Sequence, residues 1–217
     1  MPKKKKKLKK RTKKLDAWYG KAWYFIWHDN STWSWIVALI LIYVILKFLI
    51  YPGIGLIFGT NSPMVVVISD SMEHKEMPFD EWWVENKDYY LTINITRADF
   101  STYPFKNGFN KGDLMFITGK KPENIKIGDV IVFQSQKPYP IIHRVIKKEY
   151  KSIWVFETKG DNNEAQVRDD ELDEARVLEK QIIGKATLDI PYLGYIKIWF
   201  VDLIKVTGIS SLFDSTL

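Results

Sequence analysis

In the stretch MVVVISDSMEHKE, Met64 to Glu76, two serines flank an aspartate and a histidine follows three residues after the second serine. A serine hydroxyl becomes a useful nucleophile only when a base takes its proton, and a third group usually orients that base. Three histidines are available, His28, His74 and His143. The same stretch also reads as an apolar strand, Met64 to Ile68, ended by a turn of short polar side chains. His74 falls in that turn. His143 lies in YPIIHRVI, a strand pattern in which a rigid element would hold a base, whereas His28 reads as an interfacial residue. Carboxylates that could orient an imidazole cluster in TKGDNNEAQVRDD, at Asp161, Asp169 and Asp170. On its own such a segment is usually an exposed loop, or at best a weak calcium site. The absence of cysteine excludes disulfides, thiol catalysis and cysteine-based metal sites.

These residues must be carried by the surrounding elements. Ten of the 32 Lys and Arg fall in residues 1–14, so the remainder of the chain is net acidic despite an overall charge of +6. The basic tail cannot bury enough apolar surface to fold. A nucleic-acid-binding role for it is disfavoured by the acidic body and by the long apolar run downstream of the tail. That run, Trp33 to Tyr51, WSWIVALILIYVILKFLIY, has one charge, Lys47. As a helix it would extend about 28 Å, close to the hydrocarbon thickness of a bilayer. Trp18, Trp23, Trp27, Trp33 and Trp35 precede or open it, as an interfacial aromatic belt would. No small-residue cleavage site follows, which favours a retained anchor over a removed leader. Lysines ahead of the span place the N-terminus in the cytoplasm and the rest of the chain outside, in a single pass through the cell membrane.

Beyond the anchor the period changes. MVVVIS, DLMFITG, DVIVFQS, IIHRVIKKEY, SIWVFETKG and QIIGKATLDI are short β-branched or aromatic runs separated by KGD, IGD, QKPYP and KGDNN. The expectation is a mainly β protein, a small all-β sandwich or barrel behind an N-terminal transmembrane helix. Residues 77–111 are polar and aromatic and read as an insertion that packs its own aromatics, with a short helix at FDEWWVENK. The organisation is then a basic tail and aromatic segment (1–32), an anchor (33–58), a β domain (59–200) containing the insertion, and a hydrophobic C-terminal segment (201–217). That last segment is interrupted by charges and reads as interfacial or packed.

A membrane anchor followed in order by VVVISDSME, KGDLMFI, IGDVIVF, PIIHRVI, TKGDNN with a later DD, and IIGKATLDIPYLGYI resembles the type I signal peptidase family. The similarity is to its archaeal and endoplasmic-reticulum branch, in which histidine replaces the lysine base. It covers most of residues 33–200 outside the insertion. The resemblance implies a membrane-bound serine endopeptidase that removes signal peptides from exported preproteins, without metal or other cofactor. It implies Ser71 as nucleophile, His143 as base, Asp161 as a supporting carboxylate and Asp170 as the one that orients the imidazole, with Asp169 the alternative. Ser69 would help bind the oxyanion with the Ser71 N–H. Ile68, Met72 and Ile142 would line the substrate site, the peptide adding as an extended strand beside Met64–Ile68. Expected partners are signal peptides, membrane lipid and the protein-translocation machinery, with no nucleic acid. Three features depart from the family pattern: Asp70 stands where glycine is usual, His74 replaces a turn proline, and the GDNN-to-DD spacing is long. Asp70 and the insertion motivate the rival expectation of a degenerate module that binds peptides without cutting them.

Overall fold

The computed structural model describes residues 18–196 and Trp199. The expected basic tail at residues 1–14 and the C-terminal segment 201–217 lie outside the described residues. The chain divides into two compact units near residues 54 and 55.

The first unit is helical. Helix α1, Trp18–His28, carries exposed Trp18, Trp23 and Trp27. Ser31 then caps the next helix by accepting from the Ser34 N–H, and the Ser34 hydroxyl donates back to the Phe25 carbonyl. Helix α2, Thr32–Phe58, is long and apolar enough to cross a membrane. Its 27 residues correspond to about 40 Å, more than a bilayer core requires, which leaves room for tilt. A π-helical turn at Leu46–Ile50 interrupts it, with the Tyr51 N–H reaching back five residues to Leu46. The turn falls just ahead of Pro52, whose ring and missing N–H are incompatible with an undisturbed α-helical ladder.

The second unit is built on a curled, seven-stranded antiparallel sheet, the mainly β architecture expected. Its strands are β1 (Met64–Val66), β2 (Leu114–Thr118), β3 (Val130–Phe133), β4 (Ile141–Lys151), β5 (Ile153–Lys159), β6 (Val177–Leu178) and β7 (Ile182–Ile190), in the order β1-β2-β7-β3-β4-β5-β6. Bulges at Phe116/Ile117, Val132/Phe133 and Val145/Lys147 interrupt the ladders, and such insertions bend and twist a sheet. The pleat explains the burial of β3. Val130 and Val132 enter one core with Val67, Met72, Met115, Ile117 and Ile142. Ile131 and Phe133 enter a second, on the opposite face, with Ile141, Val145, Phe156, Leu172 and Val177. Both faces of this strand are therefore covered, which is why VIVF does not alternate with polar residues.

Residues 77–111 hold helix α3 (Phe79–Thr92) and helix α4 (Arg97–Ser101), the latter opened by a Thr96/Asp99 capping box. Trp82, Trp83, Tyr90, Ile95 and Phe100 form a third core, completed by Ile146 of β4. The expected short helix is therefore longer, and the segment packs on the sheet as well as on itself.

Candidate active site

The apolar run stops as a strand at Val66, and Val67 continues it through bonds to the backbone of Asp113 and Gly112. A turn follows, closed by the Glu73 N–H on the Asp70 carbonyl at 3.0 Å. Met72 is fully buried in the core and anchors the turn, leaving Ser71 half-buried with its hydroxyl at the surface. Three successive carbonyls are held from outside the turn. Asn162 takes those of Asp70 (Nδ2, 3.0 Å) and Ser71 (backbone N, 2.8 Å), and the Phe109 N–H takes that of Met72 at 3.1 Å.

His143 is on β4, opposite Ile131 of β3. The strand alternates, so Ile141, His143 and Val145 share one face while Ile142 and Arg144 share the other. His143 Nε2 lies 2.9 Å from Ser71 Oγ, and Nδ1 lies 2.5 Å from Glu174 Oε1. Glu174 is fully buried; its carboxylate also accepts from the Thr158 hydroxyl at 3.0 Å and the Val167 N–H at 2.8 Å. A carboxylate can only accept, so Nδ1 carries a proton, and in the neutral ring Nε2 presents a lone pair to the serine hydroxyl. Ser69 Oγ stands 3.1 Å from Ser71 Oγ.

Asp170 is not at the imidazole. Asp169 Oδ1 accepts the N–H groups of Glu171 and Leu172, and the Asp169 N–H bonds the Leu172 carbonyl, so the DD pair opens a tight turn with Asp170 exposed. After that turn the chain alternates: Leu172 and Glu174 are buried, Asp173 is exposed. The signal that could have found Glu174 was therefore present in the sequence, since it lies two residues from an inward leucine and on the same side of an extended segment.

Asp161 is brought close but belongs to a second network behind the first. It is fully buried and accepts from Arg144 Nε (2.8 Å) and Nη2 (2.6 Å), the Tyr90 hydroxyl (3.1 Å) and His74 Nε2 (3.1 Å). Arg144 spends its other donors on the carbonyls of Pro104, Phe105 and Gly128. Burial alone would raise the Asp161 carboxyl, but the Arg144 charge and hydrogen bonds, with His74, hold it well below the usual carboxylate range. Its contribution to stability is accordingly complete above that range and lost as the pH falls through its own lowered value. Ile142 is buried in the first core, and Ile68 is exposed.

Lys159 was not anticipated. It is 1% exposed, donates to the Gly160 carbonyl at 3.0 Å and lies 5.0 Å from the ring centroids of Tyr89 and Tyr90. Burial pulls it down to about 8, with Asp161 and Glu174 opposing. Between about pH 8 and the ordinary lysine value near 10.4 the unfolded chain holds a proton that the folded chain has released, so stability rises with pH there. Thermal melts of the full chain in detergent should show wild type gaining on Lys159→Met across that window; a constant difference would contradict the assignment.

A serine, an imidazole and a buried carboxylate in one hydrogen-bonded series can support nucleophilic acyl transfer. No family model matches the chain. It is 31% identical over 161 residues to the signal peptidase complex catalytic subunit SEC11C of Homo sapiens, covering 72% of this chain and 67% of that protein. It is 31% identical over 163 residues to SEC11 of Lachancea thermotolerans (71% and 76%) and 28% identical over 182 residues to SEC11 of Zygosaccharomyces rouxii (77% and 87%). The chain belongs to the signal peptidase family, in the branch of the SEC11 catalytic subunits.

Proposed function

We propose that this chain is a membrane-bound serine endopeptidase that cuts signal peptides from exported preproteins, with Ser71 as nucleophile and His143 as general base. The observation that carries the mechanism is the continuous series Ser71 Oγ, His143 Nε2, His143 Nδ1, Glu174 Oε1 at 2.9 and 2.5 Å. His143 takes the Ser71 proton as Oγ attacks the scissile carbonyl, and Glu174 holds the tautomer and balances the imidazolium that forms. The Ser69 hydroxyl, with the Ser71 N–H, faces the developing oxyanion. The imidazolium then protonates the leaving amine, and a water activated by the same base releases the acyl-enzyme as the signal peptide's carboxylate. Substrate adds as an extended strand along β1, an edge strand of the sheet. Helix α2 tethers the β unit to the cell membrane, with the lysine-rich N-terminus cytoplasmic and the β unit outside. Signal peptides, lipid and the translocation machinery are the partners this reading implies.

Purified full-length chain in detergent, incubated with a preprotein carrying alanine at −1 and −3, should produce one cut at the signal-peptide junction. Replacing the −1 alanine by leucine should abolish that cut. Binding of the preprotein without cleavage would replace this reading by that of a peptide-binding module.

A further inference from the structure

One buried titratable group has no place in that mechanism. His74 is 2% exposed, and its ring lies face to face with Trp82 of α3, centroids 3.8 Å and planes 3° apart. Gly108 closes another side, where a Cβ would fall 2.5 Å from His74 Cδ2. Nε2 donates to Asp161, since the carboxylate can only accept. Nδ1 has no hydrogen-bond partner among the described residues. A buried polar atom without a partner is destabilising, and an apolar residue would fill the space without that penalty. What the imidazole supplies that an apolar residue cannot is the hydrogen bond to Asp161.

That bond acts on the reacting pair. Asp161 sits between Gly160 and Asn162, and both neighbours touch the site. Asn162 holds the carbonyls of Asp70 and Ser71. Gly160 packs so closely that a Cβ there would lie 2.8 Å from the Ser71 carbonyl oxygen and 3.0 Å from His143 Nε2. Residues 160–162 are thus a common floor under nucleophile and base. The 77–111 segment grips that floor through the Trp82 stack on His74, the Tyr90 hydroxyl, and the Pro104 and Phe105 carbonyls that hold Arg144.

We propose that His74, clamped by the 77–111 lobe, is a positioning residue for peptide-bond cleavage: its hydrogen bond to Asp161 fixes the 160–162 loop that sets Ser71 against His143. The inference rests on the Ser71–His143 reading. His74 is not a base, and the lobe is part of the catalytic support.

The test uses the full chain in detergent with a cleavable preprotein. His74→Phe keeps a ring for Trp82 and removes the donor; His74→Gln loses the stack and keeps a donor near the place of Nε2. The Phe variant should lose about 10- to 100-fold in kcat, the scale of an ångström-sized misplacement, with KM within about twofold. The Gln variant should retain kcat within about threefold of wild type. A Gln variant no more active than the Phe variant would overturn the proposal, because packing alone would then account for the ring. Should the Phe variant fail to fold, Tyr90→Phe removes another donor to the same carboxylate with the ring kept. It should lower kcat about 3- to 10-fold at unchanged KM, and an unchanged kcat would count equally against the proposal. Cleavage persisting in Ser71→Ala would show instead that the underlying site reading is wrong.

Discussion

Ser71→Ala and His143→Ala are each expected to lower kcat by about 10⁵- to 10⁶-fold while leaving the chain folded and able to bind a preprotein. The two groups act as one unit, so the double variant should be little worse than either alone. Folding should survive because Ser71 makes its structural bonds through its carbonyl, which alanine keeps, while the turn is anchored by buried Met72. Removing the His143 ring leaves Glu174 bonded to Thr158 and Val167, so the carboxylate is not stranded.

Glu174→Gln is expected to be the next most damaging change, roughly 10⁴-fold in kcat, because an amide neither enforces the Nδ1–H tautomer nor balances the imidazolium. Asp170→Asn should stay within about twofold of wild type, since an exposed turn residue away from the imidazole has no charge to give it. Steady-state cleavage of one preprotein by both variants separates the assignments. A large loss with Asp170→Asn and a small one with Glu174→Gln would return the orienting role to the aspartate pair.

Much of the scaffold was readable because its signals are local. The β-branched runs around Met115, Ile131, His143, Val155 and Ala186 each became a strand, and the apolar run from Trp33 became a long helix. What could not be read was set by partners distant in sequence. β7 lies between β2 and β3, so KATLDI stands beside DLMFIT from the other end of the unit. Glu174 displaced Asp170 because Asp169 folds the DD pair into a turn, a local competition that resemblance to a motif does not weigh. His74 looked like a turn residue because its partners, Asp161 and Trp82, are respectively far along the chain and inside the insertion. Ser71 and His143, in contrast, were named from the resemblance to the signal peptidase motifs, and the 2.9 Å between them depends on the curl of the sheet.

The central claim, that His143 activates Ser71, is tested most directly by covalent capture. Full-length chain in detergent would be treated with a peptidyl phosphonate bearing alanine at the reacting position, digested and mapped by mass spectrometry. A single adduct on Ser71 is expected in wild type, formed more than about a thousandfold faster than in His143→Ala. An adduct on another residue, or equal labelling of Ser71 in the two proteins, would contradict the account.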